Sequence, residues 1–307
     1  MKTQQSRWPY LIDTTKTRLV YAEVKTIIHL VQPAFRFTRL SHLFEDVVRL
    51  YRGYYPGYRP CSTCYHNLSH VMDTVLAMAR LMHGATAFDH RFTTRGIGLG
   101  IAVAALHDTG YIQKNGDRSG TGGKYAGNYL QRSIKFMEGY FLEHDYSIEY
   151  FEDAKKVLKC ISPYVDLERM RFKSEELKII GKMLATANVV AQLGDRGYLE
   201  RLLLLFRELL DARPEYCCSE MDVFRYRSAF HDMMRRRLEA SPPSTKGFMA
   251  AHFGSRFGVD RDFYEEQMES NLKHLLLILS NEKDYRDFLR RSGIVKRLRN
   301  MDHKAAV

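Results

Sequence analysis

Residues 65–73, which read YHNLSHVMD, carry the pattern that most strongly indicates the fold of this chain. The sequence predicts a helix over about residues 66–83, and at 100° per residue His66, His70 and Asp73 fall within about 60° of one another. Apolar residues occupy the opposite side of that helix. Two histidines four residues apart can aim their ring nitrogens at one metal ion. The alternative, a pair of ordinary surface histidines, is equally compatible with this segment alone.

Residues 104–111, which read AALHDTGY, place a histidine and an aspartate at the end of an apolar helix. Polar groups at such a buried position need partners, and a metal ion is one solution. The ring nitrogen of His107 and the carboxylate of Asp108 together suit a divalent transition metal. The alternative is an ordinary helix end, at which His107 is a favourable cation and Asp108 is solvated.

Helical periodicity extends outward from these segments over most of the 307 residues, and strand alternation is almost absent. Apolar residues make up 45% and charged residues 27%, which excludes a disordered chain, a collagen-like chain and a small disulfide scaffold. We therefore predict an all-α fold with a functional domain at residues 40–212, between helical extensions at 1–39 and 213–307. The clearest internal break is SPPSTKG at 241–247, and the next predicted helix begins near residue 257.

Charge and composition also bear on location and partners. Lysine and arginine total 47 against 36 acidic residues, and the net charge of +11 favours anionic partners. No apolar run approaches the roughly 18 residues of a membrane helix, the N-terminus lacks a signal-peptide pattern, and five cysteines fit a reducing compartment. We expect a cytoplasmic protein that binds no membrane. The basic tail from Arg286 to Lys304 is predicted to be a solvated helix in preference to a nucleic-acid-binding arm.

The two histidine segments together resemble the HD superfamily of metal-dependent phosphohydrolases, because His-x-x-x-His is followed 37 residues later by His-Asp. The Tyr-His-Asn-x-x-His segment is also similar to the class I cyclic-nucleotide phosphodiesterases. The resemblance covers roughly residues 40–212 and implies a helical bundle that hydrolyses a phosphoester with metal-activated water. The roles that it implies are metal ligation by His70, His107 and Asp108, proton donation to the leaving oxygen by His66, and support of a ligand by Asp73.

Two positions depart from the pattern of that superfamily. Its last metal ligand is an aspartate, and this chain has Asn188 there, a neutral and weaker ligand. Asp195 shares the helical face of Asn188 and is a candidate replacement, although we favour an ion pair between Asp195 and a neighbouring arginine. Two-metal members also carry a histidine in a position where this chain has Tyr129. We therefore expect either one ion, held by the three ligands with Asn188, or a site that has lost catalysis.

The sequence predicts a phosphodiesterase or phosphomonoesterase that acts on a nucleotide or another small phosphoester. Its predicted cofactor is a divalent ion of manganese, iron, magnesium or zinc, in one or two copies. Lys124, at the end of a Gly-rich loop, is a candidate ligand for a phosphate oxygen. The alternative function is that of a catalytically degenerate HD-fold protein that binds a nucleotide or a protein partner. An oxygenase with an iron pair would need more ligands than the chain supplies, and a nucleic-acid-binding module rests on net charge alone.

Overall fold

Eleven α-helices make up most of the computed structural model, which describes residues 12–212, 219–240, 245 and 247–289. In chain order they are α1 (Thr17–Val31), α2 (Thr38–Arg52), α3 (Leu68–Ala85), α4 (Thr94–Leu106), α5 (Tyr129–Glu143), α6 (Ile148–Lys159), α7 (Glu175–Leu193), α8 (Tyr198–Ala212), α9 (Glu220–Ala240), α10 (Phe248–Phe257) and α11 (Phe263–Leu279). No β-strand occurs within these ranges, so the predicted all-α fold is confirmed. Most of the basic tail that begins at Arg286 lies outside the described residues.

Helix α3 is the central helix of the fold. It packs against α1, α4, α7 and α10, and every residue from Thr74 to Ala85 is buried. A helix that is surrounded in this way has to be apolar on all sides, and the run VLAMARLM at 75–82 is nearly so. The prediction that this helix has one core face and one polar face is therefore wrong beyond its first two turns.

The predicted extensions contribute directly to the same core. Helix α1 lies within residues 1–39 and α10 within residues 213–307, yet both pack against α3. Buried apolar residues from α1 through α11 form one continuous hydrophobic cluster. None of the helices in the described part of the chain combines the length and apolar character needed to cross a membrane.

The backbones of α3 and α10 approach closely at Gly84. A Cβ atom on Gly84 would lie 1.7 Å from the carbonyl oxygen of Phe248, so only glycine fits there. We expect Gly84→Ala to lower the free energy of unfolding by about 1–3 kcal/mol or more, because the two helices have to separate. Urea unfolding followed by circular dichroism measures this change.

The matched control is Gly139→Ala in α5, where an added Cβ would meet nothing within 4 Å. Alanine is the better helix former, so this variant should gain about 0.5–1 kcal/mol. Equal stability of the two variants would show that α10 does not pack on α3 in this way.

Candidate metal centre

The beginning of α3 positions the first two histidines. The helix starts at Leu68 because the side-chain oxygen of Asn67 accepts the backbone N–H groups of Ser69 at 3.0 Å and His70 at 3.3 Å. His66 therefore precedes the helix, and the prediction that His66 and His70 share a helical face is wrong. The turn nevertheless brings the two imidazole centroids to 5.9 Å from each other.

The end of α4 supplies His107 and Asp108. The Nδ1 atom of His107 lies 2.8 Å from the carbonyl oxygen of Ala104 and must donate to it, so a neutral His107 carries its lone pair on Nε2. The short 3-10 turn that follows is attached to α5, because the backbone N–H of Gly110 donates to Ser133 Oγ at 2.9 Å. Both side chains thus extend from a rigidly held helix end.

Three ligand atoms converge at this point. His70 Nε2 lies 3.3 Å from His107 Nε2 and 3.3 Å from Asp108 Oδ2, and His107 Nε2 lies 3.2 Å from Asp108 Oδ2. A divalent ion with bonds of about 2.0–2.2 Å requires its ligand atoms to be about 3.0–3.5 Å apart. Asp108 Oδ2 is buried and has no hydrogen-bond partner among the described residues. This buried group could therefore hold a metal ion.

Burial and mutual attraction set the protonation of these three side chains. Burial lowers the pKa of His70 to about 4, against the opposing attraction of Asp108. Burial also disfavours a charged His107, but the adjacent Asp108 carboxylate outweighs it and raises the pKa of His107. Burial alone would raise the pKa of Asp108, whereas His107 and His70 hold it well below its usual value. Asp108 is therefore a carboxylate and His70 a neutral imidazole, which are the forms that ligate metals.

Glu208, on the buried face of α8, is a site residue that the sequence analysis missed. Its Oε2 accepts a hydrogen bond from His66 Nδ1 at 2.8 Å, and its Oε1 accepts the backbone N–H of His66 at 3.1 Å and also that of Tyr65. The signal that could have found it is a carboxylate within the apolar run LLLLFRELL at 202–210. The result is a His66–Glu208 dyad beside the three converging ligand atoms.

Aromatic rings enclose the dyad and the ligand group. Tyr111 stacks on His66 at 4.4 Å between ring centroids, and Tyr129 stacks on Tyr111 at 4.8 Å. Burial is the main cause that raises the pKa of Tyr129 and of Tyr51, and the charge of Asp108 raises both further. The hydroxyl of Tyr51 has no hydrogen-bond partner among the described residues. Neutral phenols thus surround the Asp108 carboxylate.

Asp195 lies close enough to Asp73 to influence its charge, and neither residue belongs to the group of three converging ligand atoms. Asp195 forms an ion pair with Arg201 and accepts the backbone N–H of Gly197 at 2.7 Å. The arginine pairing that we favoured on sequence grounds is therefore the one that the structure contains. Burial and the charge of Asp195 raise the pKa of Asp73 to about 7. The structure gives neither carboxylate a hydrogen bond with a member of the metal-ligand group.

Asn188 and Lys124 are engaged in their own segments. The side-chain oxygen of Asn188 accepts a hydrogen bond from Gln192 Nε2 at 3.2 Å, within α7. Lys124 Nζ lies 2.5 Å from Asp117 Oδ1, 2.7 Å from the carbonyl oxygen of Ser119 and 2.9 Å from its hydroxyl. These contacts use all three ammonium donors within the Gly-rich loop. A phosphate oxygen would have to displace one of them.

Comparison of the chain with protein-family models, with curated protein sequences and with solved structures gives no match. The geometry of the centre and the sequence pattern that produces it are therefore the observations that bear on function.

Proposed function

We propose that this protein is a metal-dependent phosphohydrolase of the HD type that acts on a nucleotide or another small phosphoester. The observation that carries the proposal is the buried convergence of His70 Nε2, His107 Nε2 and Asp108 Oδ2 at 3.2–3.3 Å. Two neutral nitrogen ligands and one carboxylate are the donor set of catalytic sites for divalent transition metals. Packing alone is a poor reason for such a cluster, because the ion pairs of Asp108 with the two histidines have to repay the desolvation of three buried polar side chains.

We assign one ion to the centre, held by His70, His107 and Asp108. Among the described residues, no further histidine, cysteine or carboxylate joins this group. When bound, the ion supplies a Lewis acid for a phosphoryl oxygen and lowers the pKa of a coordinated water molecule. Manganese, iron, magnesium and zinc all accept nitrogen and oxygen ligands, and three protein ligands leave positions for water and substrate.

The proton for the leaving oxygen is assigned to His66. Because His66 Nδ1 is hydrogen-bonded to Glu208, the opposite ring nitrogen, Nε2, is the atom that can exchange a proton with a substrate. The stacked Tyr111 ring and the two backbone hydrogen bonds to Glu208 restrict the orientation of the imidazole. Glu208 is thus a positioning residue, as the carboxylate partner of a catalytic histidine commonly is.

A second candidate function is binding without catalysis, at a degenerate HD-type site. Asn188 favours it, since an amide is a weaker ligand than a carboxylate and cannot act as a base. Tyr129 favours it as well, because it occupies the sequence position at which two-metal members carry a histidine, and its ring stacks on Tyr111. A binding protein would keep the metal and the nucleotide but would release no product.

The experiment that tests the proposal is an assay of p-nitrophenyl phosphate and bis-p-nitrophenyl phosphate with the full chain, after metal removal and reloading with each of the four metals. Product release that depends on one metal and disappears in Asp108→Ala supports the phosphohydrolase. Metal binding with no turnover of either compound, or of 5′- and cyclic nucleotides, favours the degenerate site.

Asn188→Asp tests whether residue 188 takes part in metal binding. If the side chain reaches the ion, a carboxylate in place of the amide should tighten binding by about 10-fold or more, since charged ligands bind divalent ions more strongly. Competition with a fluorescent chelator measures the affinity. Gln267→Glu in α11, where the glutamine also hydrogen-bonds an asparagine one turn away, is the control for added negative charge, and equal tightening by both variants would place residue 188 outside the ligand set.

A further inference from the structure

Arg227 of α9 is a buried arginine whose hydrogen-bond partners in the described part of the chain are all neutral. Its side chain is 5% exposed. Its guanidinium donates to the side-chain oxygen of Gln192 at 3.0 Å, to the hydroxyl of Tyr198 at 3.3 Å and to that of Tyr65 at 3.4 Å. It also stacks on the ring of Phe230 at 4.2 Å. None of these contacts involves a carboxylate, so within the described residues the charge is solvated by dipoles and aromatic rings.

Such a charge is unfavourable in a protein interior unless an anion accompanies it. Removing a guanidinium from water carries a large desolvation penalty, which neutral hydrogen bonds repay only in part. Arginine is also the side chain whose planar set of donors matches a phosphate group. The other arginines nearby do not share this property: Arg201 is paired with Asp195, and Arg225 with Asp222 and Glu282.

The three polar partners of Arg227 also line a crevice beside the metal centre. Tyr65, Gln192 and Tyr198 form its wall together with Asp195 and Arg201, and His70 contributes to the same lining. The guanidinium thus lies one side chain behind a crevice that adjoins a metal ligand. About 170 Å³ of unfilled space, part of which is open solvent, lies among these side chains, and none of its gaps is wide enough for a water molecule.

We propose that Arg227 is the anion-binding residue of a phosphate site in this crevice, with Gln192 as the side chain that releases it when phosphate binds. A phosphate oxygen replaces the side-chain oxygen of Gln192 as the acceptor for Arg227, which is now 3.0 Å away. The amide group of Gln192 is then free to donate a hydrogen bond to the phosphate. The inference deepens the proposed function, and it rests on that function for the assignment of the phosphate to a substrate.

The surrounding charges are compatible with a bound anion. Asp195 is the carboxylate in the lining, and its ion pair with Arg201 neutralises it. The guanidinium of Arg201 also donates to the carbonyl oxygen of Tyr65 at 3.1 Å, so it stays on the Asp195 side of the crevice. The gaps between these side chains are narrower than a water molecule, and binding therefore requires Gln192 to move.

The test uses the metal-free full-length protein, with inorganic phosphate and AMP as probes at constant ionic strength. At about 10 mM phosphate and a Kd of about 1 mM, the wild type should melt about 2–4 °C higher. Arg227→Met should abolish this shift, and Arg227→Lys, which keeps the charge but not the planar donors, should weaken Kd about 10-fold. Arg225→Met, on the exposed side of the same helix, should keep the full shift.

A structural role for Arg227 gives a different result. If the arginine serves only to hold Tyr65, Tyr198 and Gln192, phosphate leaves the wild-type melting temperature unchanged and Arg227→Met lowers it in plain buffer. Under our proposal Arg227→Met is at least as stable as the wild type in plain buffer, because it removes an uncompensated buried charge. A phosphate shift that persists in Arg227→Met also overturns the proposal. If Arg227→Met does not fold, the Kd of Arg227→Lys for phosphate decides between the two roles, because only an anion-binding arginine predicts weaker binding.

The same measurements separate this inference from the proposed function. Asp108→Ala should keep the phosphate shift, since Arg227 does not depend on the metal. Protein that binds phosphate through Arg227 but holds no metal would refute the phosphohydrolase and keep the anion site. Protein that binds metal but whose melting temperature does not rise with phosphate would refute the anion site and keep the phosphohydrolase. Tighter binding of AMP than of inorganic phosphate identifies the source of the phosphate group as a nucleotide, and equal binding identifies it as the free ion.

Discussion

Asp108→Ala should deprive the protein of its metal-binding capacity. Asp108 supplies the anionic ligand atom of the three that converge, and without it two neutral histidines remain. Elemental analysis after reloading should give about one equivalent in the wild type, as expected for a single three-ligand site, and a negligible amount in the variant. The melting temperature gives a second measurement: saturation at a thousand times the Kd adds about 4 kcal/mol to the stability of the wild type and nothing to that of the variant.

The matched control for this experiment is Asp153→Ala. Asp153 of α6 is also a buried aspartate, 6% exposed, and it is paired with the more exposed cations Arg95 and Lys173. Its loss should reduce stability, because it leaves both cations without their carboxylate, and should leave the metal content unchanged. Metal retained in Asp108→Ala would show that the ion is not held by the ligand group that we assign. Loss of metal in both variants would point to general unfolding.

His66→Gln should slow phosphoester hydrolysis by about 10²–10⁴-fold while the metal content stays that of the wild type. General acid catalysis contributes a factor of this size, and the amide of glutamine is far too weak an acid to protonate a leaving oxygen. Turnover of p-nitrophenyl phosphate understates the effect because its leaving group is a good one, so an alkyl phosphoester should show the larger loss. The measurement is kcat under saturating metal.

Two further variants make the assignment of His66 specific. Glu208→Gln keeps an acceptor for the backbone N–H groups but removes the charge beside His66 Nδ1, and its effect on kcat should not add to that of His66→Gln. His144→Gln is the control, since His144 also lies near a carboxylate, 3.7 Å from Asp46. A decrease of the same size in His144→Gln, or additive effects of His66 and Glu208, would contradict the dyad.

The helical periodicity of apolar residues predicts much of the fold, because most of these helices are amphipathic. The pattern predicts a helix over 38–52, and α2 spans Thr38–Arg52. It failed for α10, which the sequence analysis assigned to the connection that leads to a helix near 257. This segment contains Gly254, and it is stabilised by the burial of Phe248, Met249 and Phe253 against a distant helix. Local propensity contains no information about such a partner.

The same distinction applies to the site: residues in short local motifs could be predicted from the sequence, and residues that depend on distant contacts could not. His70, His107 and Asp108 were recognisable because each belongs to a short local motif, His-x-x-x-His or His-Asp, at a predicted helix end. Glu208 was not, since it reaches His66 across 142 residues of chain. Arg227 carries no local signal either, because only the folded structure shows that no acidic side chain in the described ranges pairs with it.

The close approach of α10 to α3 also constrains the order in which this chain can be completed during synthesis. Helix α3 leaves the ribosome long before Phe248 does, and a chain is made at about 5–20 residues per second. The surface of α3 around Gly84 therefore stays uncovered by α10 until residues 248–257 have been synthesised. In the same way, His66 cannot form its hydrogen bond to Glu208 until α8 has been synthesised. A nascent chain that stalls before residue 248 presents apolar surface on its central helix, which is the kind of surface that chaperones bind.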